Sequence, residues 1–146
     1  MTIAELNRRL NSVDVNKLAD EALKENETEV LDANREQLQD GQRNDTSKIT
    51  PRYKSTWYAT KKNDMNPLAG IFTPDLKKTG DFYKGFFVKL LGGNKYTITS
   101  SDSKTQGLTD KYQPSIFGLN TRNTQDVGEQ YVQPAFVKRL KLYLFK

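Results

Sequence analysis

Residues 82–100 read FYKGFFVKLLGGNKYTITS. The first half, residues 82–91, is rich in Phe, Tyr and Val, and the second half, residues 95–100, alternates apolar and polar side chains as a half-buried strand does. Between them, the Gly-Gly-Asn sequence at 92–94 is typical of a tight turn. The stretch therefore predicts an antiparallel β-hairpin whose first strand begins at Phe82.

The faces of this predicted strand indicate where it makes contacts. Successive residues of a strand point to opposite sides, so Phe82 and Phe86 share one face while Tyr83 and Phe87 share the other. Because both faces carry aromatic side chains, we expect one to cover a helix and the other to meet a neighbouring subunit. Tyr83 and Phe87 are therefore candidate interface residues. The expected core aromatics are Phe82, Phe86, Tyr96 and Phe136.

Helical patterns precede the hairpin. Thr2 followed by Glu5 forms a capping box for a short first helix. From Val15 onward the apolar residues keep helical spacing, and Gly41 is typical of the residue that follows a helix, so one long second helix is expected. Residues 1–45 are thus predicted to be a helical N-terminal extension.

Residues 46–80 are rich in turn-forming residues and have no clear period. A long segment of this kind in a compact domain is usually functional or disordered, and we interpret it as an extended arm or docking loop. Its basic and aromatic cluster makes Tyr53, Trp57 and Tyr58 candidate interface residues. At its end, the Thr-Gly pair before Asp81 is interpreted as a turn into the first strand.

The carboxyl-terminal segment is predicted to be helical. Pro134 suits the first turn of a helix, and Phe136, Val137 and Leu140 form an apolar stripe after it. The predicted fold class is α+β, with a small antiparallel β-sheet packed with a C-terminal helix, preceded by two N-terminal helices and a long extended arm. Residues 81–146 form the α+β core of what we expect to be a single domain.

The 146-residue chain contains no cysteine and no histidine. This excludes disulfides, thiolate metal sites and a cysteine nucleophile, and it removes the commonest general base and zinc ligand. The carboxylate pair Asp75 and Asp81 lies in a turn context, where Asp is expected for its backbone hydrogen bonds. We therefore expect no enzymatic activity, no cofactor and no metal site.

Charge is unevenly distributed. Residues 1–45 hold 6 Lys or Arg against 11 Asp or Glu, whereas residues 46–146 hold 17 against 7. Such a dipolar chain suits head-to-tail contacts between copies, although solvated charged faces would give the same pattern. No apolar run approaches the roughly 20 residues that span a bilayer, and the N-terminus lacks a signal-peptide pattern, so a cytosolic site of synthesis is expected.

A family resemblance covers about residues 51–146. The order DLKKTGDF at 75–82, the hairpin, LTDKY at 108–112, IFGL at 116–119 and QPAF at 133–136 resembles the tail-completion and virion-morphogenesis proteins of tailed bacteriophages, Bacteroidetes-phage type. The resemblance implies a small sheet packed on helices, arranged as a ring at the neck and without enzymatic activity. The residues that match the family's motif are Leu76, Thr79, Gly80, Phe82 and Tyr112.

The leading hypothesis is a structural virion protein, a homo-oligomeric ring subunit that joins the head to the tail. Its expected partners are other neck, portal, connector or tail proteins, with non-specific contact with packaged DNA and no membrane. Assembly in the host cytoplasm would place it in the virion. The alternatives are a capsid-associated or other connector protein, or a small basic DNA-binding accessory protein whose lysines and aromatics contact nucleic acid.

Overall fold

The computed structural model describes residues 1–93 and 95–146, so the last position of the predicted hairpin turn, residue 94, lies outside the described residues. Its architecture is α+β, which confirms the predicted fold class: a two-stranded antiparallel sheet is packed among helices. In chain order the elements are α1 (Ile3–Ser12), α2 (Val15–Glu25), α3 (Glu27–Gln39), α4 (Thr56–Met65), α5 (Asp81–Lys84), β1 (Phe86–Gly92), β2 (Lys95–Ser100), α6 (Thr105–Tyr112), α7 (Thr121–Val127) and α8 (Gln133–Leu144).

The hairpin forms as predicted, with Val88 of β1 opposite Ile98 of β2. Its first strand begins at Phe86, however, so the prediction that it begins at Phe82 is wrong. The intervening residues form the short helix α5, because Gly80 adopts a φ of +89° and turns the chain into a helix before the strand starts. The predicted alternation of faces therefore holds only from Phe86 onward.

The predicted second helix is two helices that meet at Asn26. The backbone N–H of Asn26 donates to the carbonyl of Leu23, and its side-chain amide donates to the carbonyl of Ala22 at 3.0 Å, so this residue closes α2 while it precedes α3. The predicted stop at Gly41 is confirmed by its φ of +73°. The helices on both sides of this break contact β1.

Side chains at this break cover the outer edge of β1. The carboxylate of Glu27 accepts the backbone N–H of Val88 at 2.8 Å, and the ammonium of Lys24 donates to the carbonyl of Val88 at 3.0 Å. These two side chains also form an ion pair of 3.1 Å. Burial acts to raise the pKa of Glu27, but the N–H of Val88 and the Lys24 ammonium outweigh it and hold that pKa below its usual value.

The core joins the N-terminal helices to the sheet. Phe82 and Phe86 pack edge to face with ring centroids 5.0 Å apart, and Phe117 lies against both. Phe136 is half-buried and lies outside this cluster, so its predicted place in the core is taken by Phe117. Residues 1–45 contribute to the same cluster, through Leu23, Val30, Leu31 and Leu38.

After β2, every regular element that the structure describes is helical. Helix α6 is followed by a 3₁₀ turn at Pro114–Ile116. Pro134 lies in the first turn of α8, as predicted. The π-helical turn Gly128–Val132 connects α7 to α8 just before this proline. Proline has no backbone N–H, and its ring crowds the preceding turn, so regular α-helical hydrogen bonding is disturbed there.

Residues 46–80 are not extended throughout, because they contain α4 and pack against the body. Ile49 is fully buried in the core cluster, and the N–H of Tyr53 donates to the carbonyl of Phe72 at 2.9 Å, which folds the segment back on itself.

Across residues 1–93 and 95–146, no helix combines the length and the apolar character needed to cross a bilayer.

Candidate docking site

A cavity of about 180 Å³ lies between the folded segment 53–80 and helix α6. It brings together residues that the sequence singled out for separate reasons. Two of the candidate interface residues line it, and so do all the residues that match the family's motif. These lining residues are Tyr53, Tyr58, Leu76, Thr79, Gly80, Phe82 and Tyr112. We call this cavity the motif cavity.

The charged residues that line the motif cavity are all lysines, and none of its lining residues is acidic. Lys62 is neutralised by Asp75, which lies behind the wall. The other three, Lys77, Lys78 and Lys104, are exposed around the opening, and we call them the lysine rim. The site therefore combines an apolar floor with a positively charged rim.

The wall of the motif cavity rests on a buried ion pair between α4 and the segment before the hairpin. The Lys62 ammonium and the Asp75 carboxylate are 2.8 Å apart, with only 11% and 4% of their side chains exposed. Asp75 also accepts the N–H of Lys77 and the side-chain amide of Asn66, each at 3.0 Å. Lys62 donates in addition to the Lys77 carbonyl at 2.6 Å. This network fixes α4 against the lysine rim.

Tyr83 lies beneath this network and is only 5% exposed, so its predicted role at an interface is wrong. The reason is local: α5 replaces the expected first residues of the strand, and Tyr83 turns inward with its hydroxyl donating to the Asp75 carbonyl. Burial, followed by the nearby Asp75 carboxylate, raises the pKa of Tyr83 well above its usual value. The same two causes raise the pKa of Tyr53. Both hydroxyls therefore stay protonated, and that of Tyr83 donates to the Asp75 carbonyl.

The backbone at the cavity is strained at Leu76, whose φ is +59°. A non-glycine residue in this left-handed region costs about 1–2 kcal/mol. The bond from the Lys77 N–H to the Asp75 side chain holds the turn in place, and the Leu76 side chain is directed into the cavity wall, where it packs against the core. Strain of this kind is concentrated at binding and switch regions, so it marks the turn as a functional candidate.

An exposed apolar surface lies on α4 next to the motif cavity. Trp57 is 71% exposed, and Met65, eight residues further on the same face of the helix, is similarly exposed. The Lys61 ammonium lies 5.2 Å from the centre of the Trp57 ring. Tyr58, by contrast, turns inward and packs edge to face on Tyr53 with centroids 5.0 Å apart.

Phe87 lies elsewhere on the molecule. It is on the outward face of β1, 37% exposed, and does not line the motif cavity. The candidate interface residues thus divide into cavity residues, an exposed tryptophan on α4 and an exposed phenylalanine on the sheet.

Sequence reasoning missed the residues that hold the site together. Arg43 is 9% exposed and donates to the carbonyls of Tyr112 at 3.1 Å, Lys48 at 2.9 Å and Thr50 at 2.8 Å, which ties the end of α6 to the start of the 46–80 segment. No local pattern distinguishes Arg43 from a solvated arginine. No sequence pattern indicates the Lys62–Asp75 pair either, because the two residues lie in different parts of the fold.

The arrangement is suited to binding an apolar group flanked by negative charge. In the part of the chain that the structure describes, no group of three or more acidic side chains is arranged to hold a metal ion. Comparisons with protein-family models, with curated proteins and with solved structures give no match to this chain.

Proposed function

We propose that this protein is a structural subunit of a tailed-phage virion, a ring subunit at the neck that joins the head, through its portal or connector, to the tail. The observation that carries the proposal is the convergence of Leu76, Thr79, Gly80, Phe82 and Tyr112 on one cavity. These residues are the ones through which the sequence resembles tail-completion and virion-morphogenesis proteins. A shared motif that builds a lysine-rimmed cavity is suited to recognising a partner.

The role would be geometric. The buried Lys62–Asp75 pair keeps the motif cavity and the face of α4 in a fixed relation, so partner contacts on both are preorganised. Trp57 presents a large apolar ring to solvent, and aromatic anchors of this kind are enriched at the centres of protein interfaces. Docking buries that ring at a gain of about 25 cal/mol for each Å² of apolar surface.

A phage lacking the gene for this protein tests the proposal. We expect particles with DNA-filled heads and no attached tails in electron micrographs, and we expect the wild-type gene supplied in trans to restore tailed particles. A Trp57→Ser variant supplied in the same way should restore fewer. Normally tailed, infectious particles in the absence of the protein would refute the role at the neck, and a defect confined to the capsid would favour a capsid-associated protein instead.

A second candidate is a small basic DNA-binding accessory protein, favoured by the exposed pairing of Trp57 with Lys61. Aromatic rings stack on unpaired bases, and lysines neutralise phosphates. This candidate predicts that the isolated monomer binds DNA with an affinity that falls steeply as salt rises. The ring subunit requires only weak, non-specific contact with packaged DNA.

A further inference from the structure

A second concave surface, with a volume of about 680 Å³, lies between the end of α3, residues 42–46 and the start of α7. We call it the acidic bowl. Its lining holds four carboxylates against one guanidinium, that of Arg122, which gives a formal charge of −3. Arg122 is largely exposed and lies 3.9 Å from the nearest of these carboxylates. The carboxylates belong to Glu36, Asp40, Asp45 and Asp126.

Two of these carboxylates make no contribution to the stability of α3. Glu36 and Asp40 lie at the C-terminal end of α3, where the helix dipole favours cations, and the last turn of this helix has no basic residue. Among residues 1–93 and 95–146, neither side chain takes part in an ion pair or accepts a hydrogen bond. Both are exposed, so they remain available to a partner.

The acidic bowl and the motif cavity have no lining residue in common. Within the bowl, Gln37 accepts the N–H of Asn120 at 2.9 Å and donates to the Gly118 carbonyl at 3.0 Å, which fixes the start of α7 against α3. Each copy therefore presents a negative surface and a positive surface at separate places.

We propose that the lysine rim of one copy docks into the acidic bowl of the next. The rim carries three exposed lysines, of which Lys104 lies 4.0 Å from Asp102, and the cavity they surround has no acidic lining residue, so the rim is positive where the bowl is negative. Because the two surfaces differ, the contact is heterologous and repeats from copy to copy into a ring or a filament. The inference rests on the proposed function, and it names a second copy as the partner of the motif cavity.

Charge-reversal variants test this contact. Glu36→Lys with Asp40→Lys reverses the bowl, and Lys78→Glu with Lys104→Glu reverses the rim. Each pair should raise the protein concentration needed for half-assembly at low salt at least about tenfold, as measured by size-exclusion chromatography with light scattering. Combining both pairs in one chain should restore assembly, and so should mixing the bowl variant with the rim variant, because each then meets its complement.

The matched control is Lys138→Glu with Lys141→Glu, which changes the net charge as the rim variant does but on exposed residues of α8. This control should assemble like the wild type, and circular dichroism should confirm that every variant is folded. A wild type that stays monomeric at low salt, a reversal that leaves assembly intact, or a combined variant that does not recover overturns the inference.

The two proposals fail separately. A wild type that assembles through a contact insensitive to these reversals overturns the inference and leaves the role at the neck standing. Tailed particles formed without the protein overturn the role at the neck, even where the charge reversals behave as expected.

Discussion

Asp75→Asn is the sharpest test of how residues 46–80 are held to the body. The substitution keeps the shape of the side chain and an oxygen that accepts the Lys77 N–H. It removes the charge that faces the Lys62 ammonium at 2.8 Å. Lys62 is then left charged, almost fully enclosed and bonded chiefly to the Lys77 carbonyl. The amide nitrogen of Asn also takes the place of the oxygen that accepts the Asn66 side-chain amide, so the variant both leaves a buried ammonium without its partner and loses that bond.

The magnitude follows from the burial of the pair. Removing one partner of a buried ion pair costs about 3–5 kcal/mol, and solvent screens this pair little because both side chains are nearly enclosed. The lower end, about 3 kcal/mol, is expected because Asn retains the bond to Lys77. For a domain of this size, each kcal/mol lowers Tm by about 2–4 °C, so Tm should fall by about 6–12 °C.

Thermal and urea unfolding followed by circular dichroism measures this loss, and hydrogen exchange locates it. Amides of α4 should exchange faster, while amides of β1 change less. The control is Lys62→Met combined with Asp75→Asn, which removes the stranded ammonium and should be more stable than Asp75→Asn alone. The reasoning is refuted if Asp75→Asn lies within about 0.5 kcal/mol of the wild type, or if the double variant is no more stable than the single one.

Four further outcomes are expected. Because the folded-state pKa of Glu27 lies below its usual value, the wild type should lose stability as the pH falls below about 4.5, and urea titrations of Glu27→Gln should show a flatter acid limb. The raised pKa of Tyr83 has the opposite consequence: stability should fall as the pH rises above about 10, where only the unfolded tyrosine ionises, and Tyr83→Phe should reduce that slope in the same assay. Arg43→Lys should lower the free energy of unfolding in urea by about 1–3 kcal/mol, because an ammonium cannot form the three hydrogen bonds that the guanidinium donates to carbonyls. An unchanged urea midpoint would contradict this. Trp57→Ser should change the free energy of unfolding by no more than about 0.5 kcal/mol while fewer tailed particles form, and a large destabilisation would show that the ring supports the fold.

The elements that sequence reasoning located correctly are those with a local cause. The capping box of Thr2 and Glu5 forms, the hairpin pairs, and Gly41 ends a helix. Two errors came from patterns that continue across a break. The apolar residues resume at Val30, seven positions after Leu23 and therefore still at helical spacing, so the pattern does not reveal the boundary at Asn26. Phe82 suits a strand as well as a helix, and the positive φ of Gly80 decided between them.

The sequence indicated residues that line the candidate site, but it did not indicate the residues that hold the site in place. Motif residues such as Leu76 and Tyr112 came from the resemblance, and the structure brings them into one cavity. The Lys62–Asp75 pair and the bonds of Arg43 depend on residues that meet only after folding, and they leave no period or spacing in the chain. The prediction for Tyr83 was wrong because this residue lies in α5, before the strand begins, and its side chain is buried.

The small sheet has one side closed to further strands. With the N–H and the carbonyl of Val88 engaged by Glu27 and Lys24, a foreign backbone approaching β1 there finds no free ladder to extend. A second chain that meets this edge at Val88 therefore has to make its contact through side chains, because backbone pairing of the cross-β kind is blocked at that position.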